Sequence, residues 1–124
     1  MAFVRIAAFR PSTDEALDAL VQAPASVVIL DLRGNGGGDV MAAVNVADRF
    51  VAEGELAFLG GRTIPAPQTG ENGELPWNVA LPGHRFEGVP VVVLVDRETA
   101  SAAELVAGAL RERAGAVLIG ERTW

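Results

Sequence analysis

The sequence of 124 residues contains no cysteine, no lysine and no tyrosine, and it has a single histidine, His84. Without cysteine, disulfides, thiol catalysis and thiolate metal sites are excluded. Without lysine, the chain carries neither a P-loop lysine nor a lysine general base. His84 lies in the turn-like stretch Leu81-Pro82-Gly83-His84-Arg85, where a solvated loop side chain is favoured over a catalytic or metal-binding role.

Basic runs and long apolar runs are also missing. The formal charge of −6 comes from sixteen acidic residues against ten arginines, so nucleic acid and anionic membrane surfaces are not expected as partners. Arg5 and Arg10 interrupt the first apolar stretch, which therefore predicts neither a signal peptide nor a membrane span. A chain of this length that is 50% hydrophobic is predicted to be one globular domain with a real core.

The hydrophobic pattern predicts an α/β fold built from strand-turn-helix units. The runs 26–32 and 90–95 are continuously apolar, which favours strands of a parallel sheet covered on both faces. The predicted strands are residues 2–9, 26–32, 90–95 and 116–119. The predicted helices are about ten residues from Pro11, then 39–52 and 101–113. The core faces expected for the first two helices are Ala16, Leu17, Leu20 and Val21, and Val40, Val44, Ala47 and Val51.

Residues 55–89 are rich in glycine and proline and break this pattern. We expect irregular structure or a short hairpin around residues 56–64, anchored to the body by Phe58, Trp77 and Phe86. Trp77 could instead line a substrate cleft, but a role as an ordinary anchor under a long loop is favoured.

The strand 90–95 leads through a short turn to Ser101, which is placed at the start of the last helix. A helix start offers unpaired backbone amides and a partial positive potential, so a serine there suits a nucleophile beside oxyanion donors. The run Ser101-Ala102-Ala103-Glu104 also fits a capping box, which often indicates only a stable helix start. From this segment alone, the capping role is favoured.

The run Gly34-Asn35-Gly36-Gly37-Gly38-Asp39 follows the strand 26–32 and opens a helix. It lacks the P-loop lysine and the third glycine of a dinucleotide fingerprint, and Asp39 would repel a phosphate. The glycines permit positive φ, so backbone amides could face a carbonyl oxygen, although a tight turn without function remains the alternative. Since strand-to-helix turns of open parallel sheets gather at the carboxyl ends of the strands, two helix starts are expected to face one site.

Two stretches together resemble signatures of the S41 peptidases, the carboxyl-terminal processing or tail-specific proteases. They are Asp31-Leu32-Arg33-Gly34-Asn35-Gly36-Gly37-Gly38 and Thr99-Ala100-Ser101-Ala102-Ala103-Glu104, and Gly120-Glu121-Arg122-Thr123 looks like the start of a third. The resemblance covers nearly the whole chain. It implies an α/β, ClpP/crotonase-like core with repeated strand-turn-helix units and a mainly parallel sheet, of which residues 1–124 form a partial catalytic core.

The resemblance also implies a function. It implies a serine endopeptidase that cuts protein substrates near their carboxyl termini by acyl-enzyme chemistry, without cofactor or metal. Ser101 would be the nucleophile, and the backbone amides of Gly37 and Ala102 would form the oxyanion hole. Arg33 and Asn35 are expected to hold the glycine turn together rather than to touch substrate.

One further acidic residue is set aside. Glu112 falls where some members of the family carry an acidic residue, but it fits a solvated helix end equally well.

The main departure from the family pattern is the general base. The resemblance implies a lysine in a Gly-Lys-Gly turn two positions past Trp124, and a PDZ domain upstream; neither lies within these residues. Because a serine hydroxyl needs a base to remove its proton, we expect the 124 residues alone not to hydrolyse peptides. The chain is expected to be a piece of a longer protein that is periplasmic or membrane-associated, with its oligomeric state left open.

Three alternatives remain at this point. Some relatives lack the lysine and use another residue in this part of the fold. A degenerate peptidase could bind extended peptides along a sheet edge without cleavage. Acyl-CoA chemistry on a crotonase-like scaffold is the weakest, because nothing predicts a nucleotide site and Ser101 would be unnecessary.

Overall fold

The computed structural model describes residues 1–21, 24–56, 79–80, 83 and 86–124. No helix in this part of the chain is long and apolar enough to span a membrane. The elements are β1 (Ala2–Arg5), α1 (Thr13–Leu20), β2 (Val28–Asp31), α2 (Val40–Asp48), β3 (Gly54–Glu55), β4 (Val79–Ala80), β5 (Val91–Val95), α3 (Ala102–Arg113) and β6 (Val117–Gly120).

Four strands form one sheet in the order β1-β2-β5-β6, and all neighbours are parallel. Because this order rises steadily along the chain, right-handed connections place α1, α2 and α3 on the same face, where α2 packs against both other helices. The predicted α/β fold with a mainly parallel sheet is confirmed. β3 and β4 form a separate antiparallel pair.

The two faces of the sheet are covered unequally. Val4, Leu30 and Val93 lie in register on one face and are at most 5% exposed. Alternate residues point the opposite way, and on that face Phe3 and Val117 are each 57% exposed. Phe3 and Val117 belong to the outer strands; in β2 and β5, for which cover on both faces was predicted, the second face is partly covered, with Ile29, Val92 and Leu94 half-buried and Asp31 buried.

The first predicted strand is shorter than expected. It ends at Arg5 rather than at Phe9. Phe9 does not pair with β2 and instead makes an isolated parallel bridge to Gly38. The Phe9 amide donates to the Gly37 carbonyl at 2.9 Å, and the Asp39 amide donates to the Phe9 carbonyl at 2.9 Å. Phe9 thus supports the glycine turn from the side.

α1 is capped and oriented differently from the prediction. Ser12 has φ 66° and makes no side-chain cap, whereas Thr13 Oγ1 accepts from the Arg10 amide at 2.9 Å. Leu17 and Val21 are buried as predicted. Ala16 and Leu20 are exposed, Leu20 by 72%.

A buried ion pair explains this orientation of α1. Arg49, at the end of α2, contacts Asp14 Oδ2 through Nη2 at 2.8 Å and Asp18 Oδ2 through Nε at 2.9 Å. Asp14 is only 7% exposed, so one carboxylate occupies part of the face that the hydrophobic pattern assigned to leucine. A charge can be buried there because its partner is buried with it.

The region after α2 is only partly described. α2 ends at Asp48 rather than near residue 52, although Val44, Ala47 and Val51 are buried as predicted and Val40 is 36% exposed. Phe86 stacks on Phe50 with ring centroids 5.1 Å apart, and its predicted role as an anchor is confirmed. Phe58, Trp77, His84 and residues 57–64 of the predicted hairpin lie outside the described residues.

Candidate active site

The two strand-to-helix turns are joined side by side at the carboxyl ends of β2 and β5. The Leu32 amide donates to the Leu94 carbonyl at 2.9 Å, and Thr99 Oγ1 donates to the Leu32 carbonyl at 2.9 Å. One step further on, the Ala100 amide donates to the Asn35 carbonyl at 3.0 Å. The prediction that the two turns lie at the same edge of the sheet is confirmed.

Asn35 holds the glycine turn from inside. Its side chain is fully buried, with Nδ2 donating to the Ile6 carbonyl at 2.8 Å and Oδ1 accepting from the Gly37 amide at 2.8 Å. Both ends of the carboxamide are satisfied, as a buried polar group requires. The expected role of Asn35 in holding the turn is confirmed.

Arg33 holds the same turn from outside. Its Nε and Nη2 donate to the two carboxylate oxygens of Asp31 at 2.8 and 2.9 Å, a bidentate pair. The Asp31 side chain is 2% exposed, whereas that of Arg33 is 52% exposed. The hydrogen bond from the Arg33 side chain keeps the pKa of Asp31 below its ordinary value of 3.8. The expected role of Arg33 in the turn is confirmed.

Ser101 occupies an unusual backbone conformation at the start of α3. Its φ is 56° and its ψ is −121°, and only Ser12 shares a positive φ among the non-glycine residues of the described part. An ordinary cap residue has extended backbone angles. Such strain in a residue that bears a side chain persists only where the surroundings enforce it, and it clusters at functional sites.

Glu104 supports this conformation. Its Oε2 accepts from the Ser101 amide at 3.0 Å, so the predicted capping box is present. Its other oxygen, Oε1, accepts from Thr123 Oγ1 at 2.7 Å. The capping interpretation is therefore correct as far as it goes, but it does not account for the backbone angles of Ser101.

Gly37 lies directly against Ser101. A Cβ built on Gly37 would be 2.9 Å from Ser101 Cβ and 3.0 Å from the backbone nitrogen of Ala102. The φ of Gly37 is 105°, which side chains rarely adopt. The structure thus brings together the three residues, Gly37, Ser101 and Ala102, that the sequence placed in one site.

The two predicted oxyanion donors are not equivalent. Ala102 is the first residue of α3, and intrahelical bonding leaves an amide at that position without a carbonyl partner. The Gly37 amide already donates to Asn35 Oδ1 at 2.8 Å. In this structure the Ala102 amide is at the start of α3 without a carbonyl partner, whereas the Gly37 amide is hydrogen-bonded to Asn35.

A family model described as "Peptidase family S41" matches residues 1–124. The chain belongs to peptidase family S41.

Several processing peptidases are similar to this S41 chain. The carboxyl-terminal-processing peptidase 1, chloroplastic, of Arabidopsis thaliana is 37% identical over 110 residues, which cover 88% of this chain and 21% of that protein. The carboxyl-terminal-processing protease of a Synechocystis strain is 35% identical over 88% of this chain and 23% of its own length. The chain therefore spans about a fifth to a quarter of these two relatives.

Solved structures agree on the fold. The photosystem II D1 C-terminal processing protease superposes with a TM-score of 0.75 at 35% identity, covering 98% of this chain and 30% of that one. The fold of the S41 chain is thus that of a processing-protease core.

Two contributors to the site of this S41 chain were not predicted from the sequence. Asp96 accepts from the Gly34 amide at 3.0 Å and so links the two turns; the Asp96-Arg97-Glu98-Thr99 run, typical of a side-chain-stabilised turn, was the available signal. The other is the segment after β6, where Thr123 contacts Glu104 and the Trp124 amide donates to the Thr99 carbonyl at 3.2 Å. No local pattern predicted those tertiary contacts.

Proposed function

We propose that Ser101 is the nucleophile of a processing peptidase that cleaves protein substrates near their carboxyl termini through an acyl-enzyme. The observation that carries this proposal is the backbone of Ser101, held at φ 56° and ψ −121° at the N-terminus of α3. A serine in that position lies beside backbone amides that can stabilise a developing negative charge. Ser101 is exposed, so a substrate can reach it.

The oxyanion hole consists of the Ala102 and Gly37 amides. The Ala102 amide meets the substrate carbonyl oxygen at the positive end of α3. The Gly37 amide already donates to Asn35 Oδ1 at 2.8 Å. It therefore contributes only when the substrate oxygen shares its hydrogen with Asn35 Oδ1 or displaces Asn35 Oδ1 as the acceptor. Metal and cofactor have no part in this mechanism.

The general base is a lysine supplied from beyond Trp124. The sequence contains no lysine, and a serine hydroxyl needs a base before it can attack a carbonyl carbon. The segment that follows β6 already runs beside the nucleophile, since Thr123 Oγ1 and the Ser101 amide share the carboxylate of Glu104. On this proposal, the 124 residues by themselves do not turn over peptides.

The substrate is an extended polypeptide, and the protein works in an extracytoplasmic compartment. The processing-peptidase names of the relatives support the first point, and the mention of chloroplasts for one of them agrees with the second. Residues 1–124 form the partial catalytic core of the longer protein, with an upstream PDZ domain.

One observation favours a second candidate function. The engaged Gly37 amide suits a noncatalytic domain that binds peptides without cutting them, because such a domain needs no oxyanion hole.

The test uses the chain extended past Trp124 by its own coding sequence. We expect the extended protein to hydrolyse peptides and to react with a fluorophosphonate at Ser101, located by mass spectrometry. Ser101→Ala abolishes both, whereas the matched control Ser12→Ala, an exposed helix-start serine that also has a positive φ, retains both. Label on another residue, or hydrolysis that survives Ser101→Ala, would overturn the nucleophile; steady Ser101-dependent turnover by the unextended chain would overturn the external base.

A further inference from the structure

Asp96 stands at the junction of the two turns without belonging to either sequence signature. It follows β5 directly, and its carboxylate accepts hydrogen bonds from both sides. From its own turn, Oδ1 accepts from the amides of Glu98 at 3.0 Å and Thr99 at 3.1 Å. From the glycine turn, the Gly34 amide lies 3.0 Å from Oδ1 and 3.1 Å from Oδ2.

Thr99 reinforces the same junction. It is fully buried, and its hydroxyl donates to the Leu32 carbonyl at the end of β2 while accepting from the Asp96 amide at 2.9 Å. The bond from the Ala100 amide to the Asn35 carbonyl continues the series. Three successive links therefore join the β5–α3 turn to the β2–α2 turn, immediately before Ser101 on one side and Gly37 on the other.

We infer that Asp96, together with Thr99, is a positioning residue that holds the glycine turn next to the nucleophile at Ser101. The inference rests on the proposed function, because Asp96 acts on the reaction only through the placement of the Gly37 amide relative to Ser101. The physical reason is geometric: donors stabilise an oxyanion only if they are held where the charge develops. The hydrogen bonds from the Gly34 amide to the Asp96 carboxylate limit how far the glycine turn can move away from α3.

A conservative substitution of Asp96 can separate a link between the two turns from a purely local turn. In Asp96→Asn, the oxygen that accepts from the Glu98 and Thr99 amides remains, but a carboxamide nitrogen replaces Oδ2, which accepts only from the Gly34 amide. The Gly34 amide then keeps one uncharged acceptor in place of two carboxylate oxygens, so the link between the turns weakens while the local turn survives. Glu112→Gln is the matched control, since it removes one negative charge from an exposed position on α3.

Amide hydrogen exchange of the 124-residue chain tests the link without reference to activity. In Asp96→Asn we expect exchange to rise by about tenfold at Gly34 and to rise as well at Gly37 and Ala100, in the next links of the series. Glu112→Gln leaves these amides unchanged. A rise confined to Glu98 and Thr99, with Gly34 and Gly37 as protected as before, would show a local turn only and overturn the inference.

Kinetics of the extended protein test the consequence. We expect Asp96→Asn to lower kcat by about tenfold with little change in KM, because the loss falls on the transition state. We expect Thr99→Val to lower kcat as well, and Thr99→Ser, which keeps the hydroxyl, to retain the kcat of the wild type. If Ser101→Ala abolishes hydrolysis while Asp96→Asn matches wild type, the positioning role alone is wrong; if Ser101→Ala is active, the proposed function itself fails.

Discussion

Gly37 and Ser101 are in such close contact that no side chain fits between them. A Cβ on Gly37 would lie 2.9 Å from Ser101 Cβ and 3.0 Å from both the Ala100 carbonyl oxygen and the Ala102 nitrogen. The neighbouring Gly36 has open space at the same atom. The glycine run is therefore not uniform, since Gly37 is required by its contact with the turn at Ser101 and Gly36 is not.

We predict that Gly37→Ala lowers the free energy of unfolding by at least about 2 kcal/mol, from unfavourable φ and from overlap with backbone atoms that cannot move aside. The matched control Gly36→Ala changes it by less than about 0.5 kcal/mol. Urea unfolding of both variants measures the difference. Equal effects would show that the contact between Gly37 and Ser101 does not constrain the turn.

Replacing Ser101 separates backbone strain from capping. If the positive φ is strained, Ser101→Gly raises the free energy of unfolding by about 1 kcal/mol, since glycine adopts that conformation freely. A serine that only caps α3 would instead make the glycine variant less stable by a few tenths of a kcal/mol. Ser101→Ala, which keeps a Cβ and loses the hydroxyl, is expected to be the least stable of the three. Thermal and urea unfolding give the order.

The pair of Asp31 and Arg33 predicts a pH dependence of stability. The folded-state pKa of Asp31 is depressed below 3.8, so its contribution is present above that pH and is lost as the pH falls through the depressed value. Arg33→Met therefore lowers Tm at neutral pH, and the gap to wild type closes as the pH approaches about 2. Arg97→Met is the control, because the Arg97 side chain is 80% exposed in its pair with Glu121. A gap for Arg33→Met that is constant across this pH range would contradict the assignment.

Two arginines in ion pairs should differ sharply when truncated. Arg49 contacts two carboxylates with its side chain 18% exposed, whereas the pair of Arg97 with Glu121 is largely in water. We expect Arg49→Ala to cost about 2 kcal/mol of unfolding free energy, because a mostly buried Asp14 loses its partner. Arg97→Ala costs less than about 0.5 kcal/mol. Comparable losses in chemical denaturation would show that burial does not govern these pairs.

Local patterns predicted the elements near the site well. The runs of valine and leucine in β2 and β5, and the small-residue turns after them, follow short-range rules of periodicity and turn chemistry. Those rules failed at α1, where Ser12 does not cap and Leu20 faces outward. The outward position of Leu20 follows from Arg49, far along the chain, whose pairing with Asp14 no helical periodicity can reveal.

The sequence by itself determined the order of strands, turns and helices, the place of Ser101 at a helix start, and the signatures of peptidase family S41. These depend on interactions between near neighbours, which a linear pattern records. Only the tertiary structure decided that Gly37 touches Ser101, that Asn35 already engages the Gly37 amide, and that Asp96 joins the two turns. Such contacts join residues more than sixty positions apart in the pairs Gly37–Ser101 and Gly34–Asp96, and their geometry exists only once the parallel sheet has brought the carboxyl ends of its strands together.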